Sequence, residues 1–295
     1  MNDPKSRKDK FLNNLGTKTR YSLSQDSLKV FNLSENRWDA YKLKSLKADS
    51  LIIEFKGVPN IFIKRHFNLD TIPDYDAVVV ASTPCFGICP IFEIIVTKEG
   101  KVSYHGEEYL KNEGHYTSHI SKSEFKNIMT RFKQANYMNL KKEYFTMVTD
   151  CATVYTTFIK NGKVVQSISD YAASSPPEFV YAYNSLFNLE QKMEVSAREV
   201  PDYLYNDEIY YASLKGRKNV HLTTSETFYI INSLVEGKET NKTFKEEYTI
   251  TYSNKLLENI KTDGRYYKIY LKDGTTKTID VGRNLLEGSN FCELE

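Results

Sequence analysis

The N-terminal part of the chain consists of short runs in which apolar and polar residues alternate. The runs are Tyr21–Leu23, Ser27–Phe31, Ala40–Leu43, Ser50–Phe55 and Ile61–Ile63, with polar breaks between them. Successive side chains on a strand point to opposite faces, so this period of two predicts antiparallel strands joined by turns. We therefore expect a β-meander over residues 21–74, preceded by a flexible leader over residues 1–20.

A second block, residues 75–193, opens with a continuous apolar strand and continues as two hairpins. The predicted strands are Asp76–Ala81, then Ile91–Thr97 with Lys101–Tyr104, and Thr153–Ile159 with Lys163–Ser169. The first hairpin turns at Gly100 and the second at Asn161-Gly162. These residues accept the positive φ that tight hairpin turns require.

Three stretches carry the residues with which helices begin. They are Ser121–Glu124, Ser175–Glu178 and Thr223–Glu226. In the first and third, a hydroxyl residue and a glutamate three positions later can satisfy each other's backbone N–H groups. The second places prolines in the first turn. After the first stretch, apolar residues recur with the period of a helix, at Phe125, Ile128, Met129 and Phe132.

The last block, residues 194–295, follows a plan like that of the central block. Its predicted strands are Glu208–Leu214, Tyr248–Tyr252, Arg265–Leu271 and Lys277–Val281. The similarity between Ile120–Ile128 and Leu222–Ile230 suggests a degenerate duplication. The expected fold class is α+β: antiparallel sheets built from hairpins with helices packed on one face. The central block and the last block would then be two related units that arose by duplication.

Composition and charge exclude several function classes. The 40 basic and 38 acidic residues are spread along the chain, whereas a nucleic-acid binder concentrates its basic residues on one face. No apolar run approaches the roughly 20 residues needed to span a bilayer. Met1–Arg20 contains no apolar signal-peptide core. We expect no nucleic acid as partner, no membrane-spanning segment and no cofactor.

The hexapeptide Cys85-Phe86-Gly87-Ile88-Cys89-Pro90 is the most distinctive motif of the chain. It precedes a strand and a glycine hairpin, and then come the segment Gly114–Phe125 and the pair Thr149-Asp150. In this order the residues resemble an uncharacterised bacterial family with the signature C-[FY]-G-x-C-P-x-[FY], known only as a domain of unknown function. The resemblance covers about residues 75–193. It implies an exported or lipid-anchored, extracytoplasmic protein and implies no activity.

The meander carries a second resemblance. Its pattern of strands and turns over residues 21–66 is similar to the strand pairs of small lipocalin-like bacterial domains. The stretch is too short to close a barrel of about eight strands. This resemblance therefore implies paired strands and no ligand cavity.

Cys85 and Cys89 allow more than one chemistry. A disulfide needs Cα atoms about 4.4–6.8 Å apart, whereas four extended residues span about 13 Å. A direct bridge therefore requires a bend, which Gly87 allows. One of the two can instead bridge to Cys151, or all three can be buried thiols. The residues expected to shape this loop are Phe86, Gly87, Pro90 and Asp150.

Redox and metal chemistry fit these cysteines less well. Thioredoxin-like sites use C-x-x-C at a helix N-terminus, whereas here three residues intervene and a strand follows Pro90. A zinc site would combine Cys85 and Cys89 with His115 and His119, but a whole hairpin separates the two pairs. We expect neither a catalytic residue nor a metal ligand among them.

Two carboxylates and a group of tyrosines have structural and functional interpretations. Asp150 is expected to hold a turn by an Asx-type hydrogen bond. Glu93 has the opposite parity to Phe92 and Ile94 on its strand, which predicts a solvated side chain. The tyrosines have two interpretations: they predict either a stacking surface for a glycan or peptide or simple packing within a sheet. They are Tyr203, Tyr205, Tyr210 and Tyr211.

The sequence as a whole predicts a non-enzymatic binding or structural module of the bacterial cell envelope, with an unknown protein or glycan as ligand. The rival prediction is an enzyme, either a thiol redox enzyme or a hydrolase, that uses the Cys85–Cys89 loop. No nucleophile elbow, metalloprotease motif or phosphate-binding glycine loop in the sequence supports that rival.

Overall fold

A computed structural model describes residues 18–205, 212–215 and 220–291. The described residues fold into two compact units, one made of residues 18–71 and one made of the described residues from 72 onward. Most of the predicted leader, the beginning of the strand predicted at Glu208 with Tyr210 and Tyr211, and Cys292 lie outside the described residues. The finer division predicted at residues 75 and 194 stays a prediction.

Residues 18–71 form a meander of antiparallel strands, as the alternating pattern predicts. The strands are β1 (Tyr21–Leu23), β2 (Ser27–Asn32), β3 (Arg37–Leu46), β4 (Ser50–Phe55) and β5 (Val58–Ile63). They pair in sequence order, so β1 and β5 are the two edges of an open sheet. Asn36 and Gly57 take positive φ values of 49° and 81° in two of the turns, which these residue types tolerate.

A large mixed sheet forms the centre of the second unit. Its strands are β6 (Ala77–Ser82), β7 (Ile91–Thr97), β8 (Lys101–Glu108), β9 (Gly114–His119), β10 (Glu143–Tyr144), β11 (Thr153–Lys160), β12 (Lys163–Tyr171) and β13 (Ser196–Ala197). Their spatial order is β10-β12-β11-β6-β7-β8-β9-β13, and β10 pairs parallel to β12. Both predicted hairpins are confirmed. Asn161 and Gly162 have φ values of 52° and 75°, as a type I′ turn requires.

Two helices, α1 (Lys122–Gln134) and α2 (Pro177–Lys192), cover one face of this sheet. The Ser121 hydroxyl accepts the N–H of Glu124 and caps α1, which is one of the two hydrogen bonds of the predicted capping box. The hydrophobic layer between sheet and helices includes Val78, Val80, Phe92, Ile94, Phe125, Ile128, Phe132, Phe179 and Leu186.

The opposite face of the central sheet packs on α3 (Thr224–Glu236), which contacts β6, β7 and β11. A complete capping box begins α3, since Thr223 and Glu226 satisfy each other's backbone N–H groups. Beyond α3 lies a third sheet with the spatial order β15-β14-β17-β18-β19-β20-β16. Its strands are β14 (Ala212–Lys215), β15 (Val220–Leu222), β16 (Lys238–Glu239), β17 (Tyr248–Thr251), β18 (Leu257–Thr262), β19 (Tyr266–Leu271) and β20 (Thr276–Asp280). Among the described residues, no helix is long and apolar enough to cross a bilayer.

The predicted α+β class, with helices on one face of each sheet, is wrong. The described residues contain 20 strands and three α-helices, so β-structure dominates. Two physical features explain the difference. The meander over residues 18–71 adds strands without any helix. The central sheet is also covered on both faces: Val78 and Val80 face α1 and α2, whereas Ala77 and Val79 belong to the core around α3. A strand buried on both faces has a continuous apolar sequence, which does not reveal what covers each side.

The sandwiched position of α3 predicts an unusually large cost for shortening its core side chains. Leu234 is 2% exposed, whereas Leu256 is 49% exposed. We expect Leu234→Ala to lower the free energy of unfolding by about 3–5 kcal/mol, because it leaves a cavity in a closed layer. The matched change Leu256→Ala should cost less than about 1 kcal/mol. Urea unfolding of both variants measures the difference, and equal costs would contradict the layered packing.

Candidate functional site

Three connections meet at one end of the central sheet and form a surface that we call the apolar tip. The apolar tip consists of residues 83–90, between β6 and β7, residues 144–152, which lead into β11, and residues 171–177, between β12 and α2. β6 and β12 run toward this end, and the antiparallel partners β7 and β11 start from it. The sheet therefore fixes the positions from which all three segments leave.

Hydrogen bonds connect the segments of the apolar tip. The N–H of Phe86 donates to the carbonyl oxygen of Asp150 at 3.0 Å. The N–H of Cys151 donates to the hydroxyl of Tyr171 at 3.2 Å, and the Phe145 ring stacks on the Tyr171 ring with 5.3 Å between centroids. The three segments are therefore a single braced cluster.

The first segment brings Cys85 and Cys89 to disulfide distance, with their Cα atoms 5.9 Å apart. The N–H of Gly87 donates to the carbonyl oxygen of Cys85 at 2.9 Å, which closes the bend that a local bridge needs. Phe86 is carried at the outside of this bend with 89% of its surface exposed. Pro90 directly precedes β7 and ends the loop.

Cys151 lies in the second segment, outside this pair. Its thiol donates to the carbonyl oxygen of Thr149 at 3.6 Å and is half-buried. Asp150 has a positive φ of 66°, and its carboxylate accepts the Thr149 hydroxyl at 3.2 Å. Asp150 thus contacts the first segment through its main-chain carbonyl rather than through its carboxylate.

Large apolar side chains cover the apolar tip. Met147 is 95% exposed, Phe145 is 68% exposed, and Ile88 and Val148 are about half exposed. Together with Phe86 they make up five of the seven exposed large hydrophobic side chains in the described part of the chain from residue 72 onward. Soluble proteins rarely expose such a cluster unless it meets a partner.

The apolar tip is also depleted of charge. Asp150 is the single charged residue in its three segments, although 26% of the whole chain is charged. The sequence pattern predicts a special role for the hexapeptide, but Phe145, Met147 and Val148 were not among the predicted residues. The signal that could have found them is the charge-free stretch Tyr144–Thr149, which is too apolar for an ordinary loop.

Backbone strain is concentrated at the same place. Ala172 and Ala173 have φ values of 57° and 52°, in the left-handed region that costs an L-residue about 1–2 kcal/mol. The N–H of Ala172 donates to the carbonyl oxygen of Ala152 at 3.1 Å, which helps to hold this turn. Strained backbone that is held by its surroundings is characteristic of functional sites.

Asp170, at the end of β12, is the anchor of the strained turn. Its buried carboxylate accepts the N–H of Ser175 at 2.9 Å, the hydroxyl of Ser175 at 2.5 Å and the hydroxyl of Tyr183 at 3.1 Å. Burial raises the pKa of Tyr183, and the Asp170 carboxylate raises it further, so the phenol remains a donor. Asp170 was not predicted from the sequence, because its role depends on a contact between β12 and α2.

A second polar group is buried on the other face of the sheet. The Glu93 carboxylate lies 2.8 Å from Nδ1 of His105, and both residues are at most 5% exposed. The His105 ring stacks on the His115 ring with 4.3 Å between centroids, and the buried Tyr205 ring packs against both. The predicted solvated Glu93 is therefore wrong, because its side of β7 faces a second core.

The residues considered for a metal site lie apart. His115 packs beside His105 near the start of β9, whereas His119 ends β9 with its ring 3.1 Å from the carbonyl oxygen of Glu99. Cys85 and Cys89 lie at the apolar tip. Within the described ranges, no group of three or more His, Cys, Asp or Glu residues could hold a metal ion.

Residues 76–190 match DUF6438, a domain of unknown function. All three segments of the apolar tip lie within the matched residues, whereas α3 and the third sheet lie outside the match. Comparison with curated proteins and with solved structures finds no match. The hexapeptide as a signature of the DUF6438 domain stays a prediction.

The geometry of the Cys85–Cys89 loop predicts a specific thiol count. The chain has four cysteines, so protein purified under oxidising conditions and then unfolded should show two free thiols, rising to four after reduction. A thiol-reactive dye measures both values. The variant Cys85→Ser should show three free thiols without reductant, because Cys89 loses its partner. Four free thiols in the unreduced wild type would contradict the bridge.

The stacked histidine pair predicts acid-sensitive stability. Burial lowers the pKa of His115 to about 3, with further lowering by the nearby His105 and Arg198. The unfolded chain, in which this pKa is near 6.5, binds a proton that the folded state excludes, so the stabilisation is complete above pH 6.5 and is lost as the pH falls toward 3.

The variant His115→Gln should therefore flatten the dependence of unfolding free energy on pH. The change should be smaller than the roughly 1.4 kcal/mol per pH unit that one whole proton gives, because the ring is only half-buried. Urea unfolding at several pH values between 4 and 7 measures the slope, with His119→Gln as the control. A slope equal to that of the wild type would contradict the assignment.

Proposed function

We propose that this protein is a non-enzymatic binding module that uses the apolar tip of its DUF6438 domain to bind an uncharged, apolar segment of another protein. The observation that carries the proposal is the coincidence of exposed apolar side chains with a hydrogen-bonded, strained backbone. Phe86 and Met147 are about nine-tenths exposed, yet the segments that hold them are tied to each other and to the sheet.

Burial of these side chains supplies the energy for binding. Removing a Phe, Met, Ile or Val side chain from water contributes about 1.5–3 kcal/mol. A partner that covers Phe86, Phe145 and Met147 therefore gains several kcal/mol before the costs of association. These costs are reduced when the binding loops are already ordered, and the contact between Phe86 and Asp150 provides that order.

The charge depletion of the tip favours a protein partner. The centres of protein–protein interfaces are depleted of charged residues and enriched in aromatic residues and methionine. A nucleic acid or an anionic membrane surface is instead bound by clustered Lys and Arg. The three segments of the apolar tip contain no Lys, Arg or His.

An oxidising compartment is part of the proposal. A disulfide between Cys85 and Cys89 would persist in the periplasm or at the cell surface and would be reduced in the cytosol. Both cysteines flank Phe86, so the bridge would limit the conformations available to this exposed ring.

The rival function, thiol redox catalysis, has less support. Reactive cysteines have their thiolates stabilised by a helix N-terminus or by a nearby cation. The segment after Pro90 is the strand β7, and the tip segments carry no cationic residue. The same argument disfavours a hydrolase that would use Cys85 or Cys89 as nucleophile.

Selection from a random peptide library tests the proposal while the natural partner is unidentified. The oxidised full chain is immobilised, and displayed peptides are selected against it. We expect enriched peptides to be apolar and to bind Phe86→Ser and Met147→Ser at least tenfold more weakly, because each change removes about 1.5–3 kcal/mol of burial.

The control is Tyr181→Ser, which removes an aromatic side chain that is 43% exposed on α2, outside the tip. Its binding should match that of the wild type. The proposal fails if selection yields no enriched peptide, or if the enriched peptides bind the two tip variants as tightly as the control. Circular dichroism of each variant verifies that the fold is retained.

A further inference from the structure

A cleft of about 290 Å³ lies between the central sheet and α3, at the end of the sheet opposite the apolar tip. Its floor contains Ala77, Ile95 and Ile159 on β6, β7 and β11, each at most 7% exposed, and most of the other lining residues are polar. Ligand sites are typically concave and combine apolar lining with a few polar groups that orient the ligand. The volume is near the lower limit for such sites, which suits a metabolite-sized molecule.

One side of α3 forms the wall of the cleft. Tyr229, Asn232, Ser233 and Glu236 line it, at the spacing that places residues on one helical face. The Tyr229 hydroxyl donates to the carbonyl oxygen of Gly162 at 2.8 Å, so the wall is attached to the turn between β11 and β12. The cleft is therefore built from rigid elements rather than from loops.

Two of the cations at the rim are already neutralised. Lys98 Nζ lies 2.8 Å from the Asp76 carboxylate, and Lys101 Nζ lies 2.7 Å from the Glu236 carboxylate. These pairs leave little net charge at their side of the cleft, and Glu99, which also lines it, adds a carboxylate near Lys98. A charged ligand would have to compete with an existing partner at either lysine.

Arg283 is the exception. It is exposed and lines both this cleft and an adjoining one. Burial raises the pKa of Tyr229, and the Arg283 guanidinium beside its hydroxyl opposes that rise. Within the described ranges, Arg283 has no carboxylate partner. The cleft thus combines an apolar floor with a guanidinium that is available to an anion.

We infer that this cleft binds a small organic carboxylate with a branched apolar body, such as a branched-chain amino or fatty acid. The planar guanidinium of Arg283 matches a carboxylate with two parallel hydrogen bonds. The apolar body would then cover Ala77, Ile95 and Ile159. This inference is independent of the apolar tip, because it uses different residues at the opposite end of the sheet.

Methyl NMR of the full chain, labelled at isoleucine, tests the inference directly. The probes are 4-methylpentanoate, leucine and isopentylamine, which share a branched body and differ in their charged groups. We expect both carboxylates to shift the Ile95 and Ile159 methyl signals and to leave Ile128 unchanged, since Ile128 lies in the layer under α1. The amine should shift none of them. The carboxylate that binds with the higher affinity shows whether the site prefers an amino acid or a simple acid.

Variants separate the guanidinium from the general fold. Arg283→Gln should weaken carboxylate binding at least tenfold, whereas Arg131→Gln, a matched change on α1, should leave it unchanged. Ser233→Leu should also abolish binding, because the larger side chain fills the cleft while Arg283 remains. The Ser233 hydroxyl donates only to the backbone of its own helix at 2.8 Å, so this change is expected to fold.

Gly162→Ala offers a variant that keeps every charge. Gly162 has a φ of 75°, and an added Cβ would collide with the Arg283 side chain, so the guanidinium must move. Carboxylate affinity should fall in this variant as in Arg283→Gln. The inference is overturned if neither carboxylate shifts Ile95 and Ile159, or if Arg283→Gln binds as tightly as the wild type.

Discussion

The burial of β6 and β7 on both faces is the constraint on which the rest of the structure depends. Their side chains alternate between the layer under α1 and α2 and the layer around α3, and they are buried in both layers. A sheet covered on both sides cannot shift its register without exposing apolar residues on each face. The positions at which these strands end are therefore fixed, and so are the loops that leave them.

The two ends of this rigid sheet carry different chemistry. At one end, the apolar tip exposes Phe86 and Met147 on segments that contain a single charged residue. At the other end, the cleft under α3 combines an apolar floor with the guanidinium of Arg283. Strain is stored in the turn at Ala172 and Ala173, and Asp170 compensates for it with hydrogen bonds to Ser175. A rigid scaffold with functional loops at its ends is a common arrangement.

Local signals in the sequence predict most elements of the fold. The capping residues at Ser121 and Thr223, and the turn at Asn161-Gly162, each depend on atoms a few residues apart, and the structure has these elements where they were expected. The fold class and the burial of Glu93 could not be predicted in this way. Both depend on α3 and the core around it covering a second face of the sheet, a contact between segments more than 100 residues apart in the chain, and the fold class depends also on the helix-free meander. The hexapeptide was visible in the sequence, but the side chains that join it at the tip come from other connections.

The apolar tip is, above all, a rigid frame that exposes apolar side chains. Amide hydrogen exchange of the oxidised full chain, resolved by residue, tests this rigidity. The hydrogen bonds donated by Phe86, Cys151 and Ala172 predict exchange at least about 100-fold slower than in an unstructured peptide. Exchange of these three amides at the unstructured rate, while Val79 and Val80 in β6 remain protected, would contradict a rigid tip.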